Sequence, residues 1–158
     1  MTRLHVQAAK RVIITVVCEL FAGDTSAANI DRTLNDYDRS RHFADIDDFE
    51  EHYLARKGMF LVLLEGDEVV GTGAVRPLDQ TTAELKRMWF LPEYRGLGLG
   101  RSMAEQLLEF ARTSGYTHVR LDSGKNQVAA LRLYHKLGFR EIQRYNESTC
   151  DVFMELEL

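Results

Sequence analysis

Apolar positions recur with two different periods along this chain, and the change of period marks its elements. Between Lys10 and Phe21 the run VIITVV is β-branched, which favours strand. Ile13, Val16, Val17 and Leu20 nevertheless fall at i, i+3, i+4 and i+7, one face of a helix, and the periodicity decides for helix. Residues 22–44 are polar and read as loop with a short helix at most. In DIDDFEEHYLAR, Ile46, Phe49 and Tyr53 keep helical spacing. Acids crowd its start, where the helix dipole favours them, and Gly58 ends it. MFLVLLEGDEVVGTGAV places two apolar runs around Gly66-Asp67, a hairpin signal. TTAELKRMWFL then alternates as a third strand, with Leu85, Arg87 and Trp89 on one face and Glu84, Lys86 and Met88 on the other. Pro92 closes it.

A helix follows a group of glycines, with Met103, Ala104, Leu107, Leu108 and Ala111 as its buried stripe and Gly115 past its end. THVRLDS is a short strand. QVAALRLYHKLG is a helix on Ala130, Leu133 and Leu137, capped by Gly138. FREIQRY and STCDVFMELEL are two final strands. Helices, three strands, helix, strand, helix, two strands: this order predicts an α/β (α+β) domain with a mixed, mostly antiparallel central sheet and helices on both faces. No repeat or Pro/Gly/Ser-rich linker divides residues 1–158, so one domain is expected.

Composition narrows the function classes. A length of 158 residues suits one domain with a sizeable core. The formal net charge of -4 argues against a chain held to nucleic acid by bulk charge. No apolar run reaches the ~20 residues that span a bilayer, and MTRLHVQAAKRV lacks the pattern of a secretory signal. Cys18 and Cys150 are the two cysteines. They form no CxxC, so a reduced, cytoplasmic setting is expected. The histidines are scattered, and no metal site is expected.

The glycines of PEYRGLGLGRSM carry the chemistry. The first amides of a helix have no intrahelical acceptor, and the helix dipole adds about half a positive charge there. Removing Cβ at Gly96, Gly98 and Gly100 lets an anion approach the backbone, and Arg95 and Arg101 flank the loop. A diphosphate cradle fits this stretch; a tight turn with no ligand is the blander alternative. No lysine follows Gly100, so it is not a Walker A loop. The GxGxG spacing, two-thirds of the way along, is not a Rossmann fingerprint.

RGLGLG also fits the Q/R-x-x-G-x-G/A signature of the GNAT superfamily of acyl-CoA-dependent N-acyltransferases. AELKRMWFLPEYRG resembles the central strand of that family, and ALRLYHKLGFREI, residues 130–142, resembles its A-x-x-L-Y-x-x-x-G-F motif. The resemblance covers residues 58–158, the acyl-CoA-binding core; residues 1–57 would be a divergent acceptor-side region. It implies a bulged central strand splayed from its neighbour, with the backbone of Met88, Trp89 and Phe90 against the pantetheine arm. The Phe90 N–H would polarise the thioester carbonyl. Arg95, Gly96, Leu97, Gly98, Leu99, Gly100, Arg101 and Ser102 would hold the pyrophosphate. Asparagine is common seven residues before the family's tyrosine; here Gln127 stands there and Asn126 one earlier, so either amide is a candidate.

The resemblance also implies acetyl-CoA as co-substrate, no metal, and direct transfer to a primary amine through a tetrahedral intermediate. Tyr134 would protonate the leaving thiolate, the alternative being a packed core tyrosine. Glu84 would be the base, the alternative being an ion pair with Lys86, Arg87 or another cation. Asp122 is a second candidate base. The acceptor is expected to be a small-molecule or peptide amine. The acids Asp45, Asp47, Asp48, Glu50 and Glu51 would suit a cationic amine, or simply form a solvated helix start. DVFMELEL could pair at a sheet edge or across a homodimer. A non-catalytic acyl-CoA-binding or sensing module is the competing functional class.

Overall fold

The computed structural model describes residues 1–158. Helix α1 (Val6–Val17) runs into a π-helical turn, Cys18–Ala22, which Gly23 ends in the left-handed region. Its periodicity, not its β-branched composition, decides its form, because Ile13 and Ile14 find an apolar sheet face to cover. Residues 22–44 depart from expectation. Most of them form α2 (Ala27–Arg39), whose N-terminal amide at Asn29 is capped by the Ser26 hydroxyl. The segment read as one helix from Asp45 is two single turns, α3 (Ala44–Asp47) and α4 (Phe49–His52), broken at Asp48.

The sheet strands are β1 (Met59–Glu65), β2 (Glu68–Pro77), β3 (Thr82–Phe90), β4 (His118–Ser123), β5 (Arg140–Glu141) and β6 (Val152–Glu157). Helix α5 (Leu99–Thr113) precedes β4, and α6 (Val128–Lys136) follows it. The strands lie in the order β1-β2-β3-β4-β6-β5, antiparallel except for β3 with β4. FREIQRY therefore gives only a two-residue strand, and β6 lies between β4 and β5 instead of forming the sheet edge. Helices cover both faces. Ile13, Ile14, Phe43 and Phe49 pack with Phe60 and Ala74 on one face; Met103, Leu107 and Ala111 pack with Val75, Leu85 and Leu121 on the other.

Two irregularities at β3 create the site. First, the β2–β3 register slips between Thr72 and Ala74, so that Gly73 opposes a bulge at Arg87 and Met88, with Arg87 at φ 59. The extra residue reverses the alternation. Met88 and Phe90 join Leu85 on the α5 face, while Arg87 turns to the α1 face with Glu84. The expected face assignment thus holds up to Lys86 and inverts beyond it. Second, β3 and β4 pair only from Thr82 to Glu84 against His118 to Arg120, then part. The splayed, bulged central strand is present.

Candidate active site

The gap between the parted strands opens into a cleft of about 460 Å³. Its floor is the bulged end of β3, with Met88, Trp89 and Phe90 all on its lining. Leu91 donates its N–H to the Val70 carbonyl on β2. Strand alternation therefore turns the N–H and C=O of Phe90 to the opposite edge, into the gap. There Arg95 Nε donates to the Phe90 carbonyl at 2.9 Å, and the Phe90 N–H stays open.

The glycine loop forms one wall. Gly96 and Gly98 adopt φ 73 and 81, and Gly98 is the N-cap of α5. Side chains are strained in this region, and glycine is not. The first backbone bond of the helix runs from Ser102 N–H to the Gly98 carbonyl, so residues 96–101 give their amides to no backbone acceptor. They form a concave row of donors at a helix N-terminus, the arrangement that binds anions. Arg95, Gly96, Gly98, Gly100 and Arg101 line the cleft; the side chains of Leu97, Leu99 and Ser102 do not. Their backbone amides are what the loop could offer. Arg95 also grips Glu19 through two nitrogens at 2.6 and 2.9 Å, tying the loop to the π-helical turn of α1. That turn brings Leu20, beside Val16, into the cleft wall.

The opposite wall is the start of α6. Asn126 and Gln127 both line it, but Gln127 Oε1 already accepts from the Ser123 hydroxyl at 2.6 Å. Asn126 is exposed, and its amide is the freer of the two. Tyr134 lines the cleft with its ring buried, tilted against Phe139 at 5.8 Å between centroids. Burial, helped by the negative charge of Asp122, pushes its phenol well above the ordinary value, so it stays protonated.

Glu84 is not in the cleft wall. Its side chain is 2% exposed beneath Arg76, which donates to Oε2 through Nε at 3.0 Å and brings Nη2 within 2.8 Å of the same oxygen. Tyr145 and Asn146 donate to its other oxygen at 3.1 and 3.3 Å. The ion-paired alternative describes its surroundings. Asp122, at the end of β4, is likewise outside the cleft wall and has a looser partner: Lys86 Nζ stands 3.8 Å away. The acidic segment is likewise largely neutralised. Asp45 receives Arg87 Nη2 at 2.6 Å, Arg87 Nε at 3.1 Å and the Tyr53 hydroxyl at 2.6 Å; Asp47 pairs with Lys10, and Glu50 with Arg3.

Sequence reasoning missed Val16, Leu20, Tyr94 and Leu133 on the cleft wall, and Arg76 over Glu84. Leu133 was visible only as a core position. Arg76 lies eight residues from Glu84, across a hairpin whose register was unknown.

A sheet split beside a glycine-rich helix N-terminus, with a protonated tyrosine facing the split, defines an acyltransferase of the GNAT type. The acetyltransferase (GNAT) family model matches residues 25–139, and the chain belongs to that family. Human N-acetyltransferase 8B is 35% identical over 103 residues, 61% of this chain and 45% of that protein. N-acetylaspartate synthetase of Xenopus tropicalis is 34% identical over 101 residues, 62% of this chain and 37% of that protein. The chain thus spans less than half the length of these curated relatives. An acetyltransferase from Streptococcus agalactiae superposes over 100% of this chain and 94% of its own, with TM-score 0.81 and 27% identity. The PaiA N-acetyltransferase of Thermoplasma acidophilum, solved in complex with coenzyme A, shares the fold at TM-score 0.78, covering 100% and 96% of the two chains at 18% identity.

Proposed function

We propose that this protein is an N-acetyltransferase that uses acetyl-CoA and transfers the acetyl group directly to a primary amine. The unpaired amides of residues 96–101, opening onto a cleft that contains the Tyr134 phenol, carry this reading. They fit a diphosphate, since each is a donor left without an acceptor beside a helix N-terminus. Acetyl-CoA supplies the acetyl group already activated as a thioester.

The chain does the rest. Residues 96–101 and Arg101 hold the diphosphate. Met88 and Phe90 offer strand backbone to the pantetheine arm, as a neighbouring strand would. The Phe90 N–H, free of β2, stabilises negative charge on the carbonyl oxygen. Tyr134 gives its proton to the departing sulfur; a thiol pKa near ~8.5 lies below that of even an ordinary phenol near ~10, so positioning and the charge developing on sulfur must drive this transfer. For the base, the surroundings favour Asp122 over Glu84. Both oxygens of Glu84 are engaged by donors, while Asp122 is near enough to perturb Tyr134 and meets Lys86 only at 3.8 Å.

Calorimetry with acetyl-CoA, followed by thiol release across a panel of amines, tests the assignment. The parent protein is expected to bind acetyl-CoA and to turn over at least one amine. Gly98→Glu is expected to weaken binding at least ~10-fold, because it puts a carboxylate and a strained residue where the anion would sit. Binding that survives in a folded Gly98→Glu protein overturns the diphosphate site. Binding without turnover of any amine favours the non-catalytic module.

A further inference from the structure

Every nitrogen of the Arg95 guanidinium is already in use. Nε donates to the Phe90 carbonyl at 2.9 Å, and Nη1 and Nη2 donate to the two carboxylate oxygens of Glu19 at 2.9 and 2.6 Å. Arg95 and Glu19 lie 76 residues apart in sequence. Arg101, at the other end of the glycine loop, pairs only with Glu105, one turn along its own helix. The Arg95 clasp therefore ties the loop to a separate element, and the Arg101 pair does not.

That element is the π-helical turn Cys18–Ala22, of which Glu19 is the only charged residue. Such turns are rare and recur at functional sites. Cys18 roots the turn in the core, and Gly23 leaves it in the left-handed region with open space around its Cα. Between these ends Leu20 enters the cleft wall beside Val16, and Phe21 stands 64% exposed. The Arg95 and Glu19 side chains are themselves 36% and 33% exposed. Water screens a pair this open, so the clasp holds weakly.

We propose that Glu19 is a built-in competitor of the donor: it occupies Arg95 until a diphosphate displaces it, and the exchange unties the turn that carries Leu20. This rests on the N-acetyltransferase reading and names how its donor site is regulated. A diphosphate on the amides of residues 96–101 lies beside Arg95, which lines the same cleft. It offers the guanidinium paired oxygens, as Glu19 does, with more negative charge. It also meets the Glu19 carboxylate as a like charge, which favours separation. When Arg95 moves over, the Phe90 carbonyl that it covers is bared to the gap, where an amide of the donor's arm can use it. One exchange thus opens both the strand edge and the cleft wall at Leu20.

Calorimetry on the whole chain tests the competition. Glu19→Gln is expected to bind acetyl-CoA ~2–5-fold more tightly than the parent, the worth of one exposed ion pair. Replacing a residue that merely braced the loop would weaken binding instead. In an Arg95→Gln background the same substitution is expected to leave the Kd unchanged, since the contested guanidinium is gone. Hydrogen exchange on the unaltered chain tests the untying. CoA is expected to speed exchange of the amides of residues 18–22, and Glu19→Gln to show that faster exchange without CoA. Equal or weaker binding by folded Glu19→Gln, a gain that persists without Arg95, or exchange at residues 18–22 that CoA leaves unchanged or slows each overturns the proposal and leaves the donor site standing. A parent protein that does not bind acetyl-CoA removes both readings.

Discussion

At the scale of single residues, the proposed mechanism divides two tasks between Tyr134 and Asp122. Burial raises the Tyr134 phenol, with Asp122 adding to the effect, so the proton to be given is present at neutral pH. Tyr134→Phe keeps the ring packed on Phe139 and removes only that proton. We expect kcat to fall ~10–1000-fold with the acetyl-CoA Kd unchanged, as general-acid loss does; single-turnover rates and calorimetry check it. Asp122→Asn and Glu84→Gln divide the other task. If Asp122 takes the proton from the amine, Asp122→Asn lowers kcat/KM ~100-fold or more near neutrality, with partial recovery as the medium deprotonates the amine at high pH. Glu84→Gln should instead lower the denaturation midpoint, because it leaves Arg76 over a neutral group, and should spare the shape of the pH–rate profile. Tyr134 was legible from L-Y-H-K-L-G-F. The quarantine of Glu84 was not, because it depends on Arg76, Tyr145 and Asn146, up to 62 residues away.

At the scale of elements, the bulge in β3 matters most, and it shows where pattern reading fails. Alternation assumes period two, and one inserted residue inverts every assignment after it. Nothing local in LKRMWF announces that Arg87 takes φ 59. The partners its side chain meets there are distant in sequence: Asp45 and the His42 carbonyl hold its guanidinium against the Phe43 ring. Helix α2, expected as no more than a short helix within a loop, was under-read for a different reason. Only Ile30, Leu34 and Tyr37 mark its apolar side among thirteen residues, and a stripe that thin reads as loop. The Asp45–Arg87 pair also anchors the N-terminal helices to the central strand. Burial alone would raise the Asp45 carboxyl, but hydrogen bonds and charge from Arg87 hold it below the ordinary value. Its contribution is therefore intact above the ordinary pKa of ~3.9 and is lost as pH falls through the lower folded value. Asp45→Asn should cost about 3 kcal/mol in urea denaturation at pH 7, the lower end for breaking a buried pair.

At the scale of the whole molecule, the element order and the two-sided helical cover were legible, because they rest on periods and breaks that survive without tertiary knowledge. Partnerships across the sheet were not, since strand order and register are set by packing. One global property follows from the buried tyrosines. Tyr134 and Tyr53 both have phenols raised, first by burial and then by Asp122 and Asp45 respectively. Each stays protonated in the fold but ionises in the unfolded chain above ~10. Their support is whole below that pH and diminishes as pH climbs, by up to ~1.4 kcal/mol per pH unit for each. Denaturation midpoints should be level from pH 7 to 9 and drop steeply by pH 11. A midpoint that holds through pH 11 would contradict this.

The sheet is stitched between β3 and β4 by only three register pairs, Thr82 to Glu84 with His118 to Arg120. Past that seam the molecule is two half-sheets sharing a spine, with room between them for another extended, amide-bearing chain. If the proposed donor threads this opening, it finishes the wall against which an acceptor would rest, and initial-rate kinetics are expected to show ordered binding with the donor first.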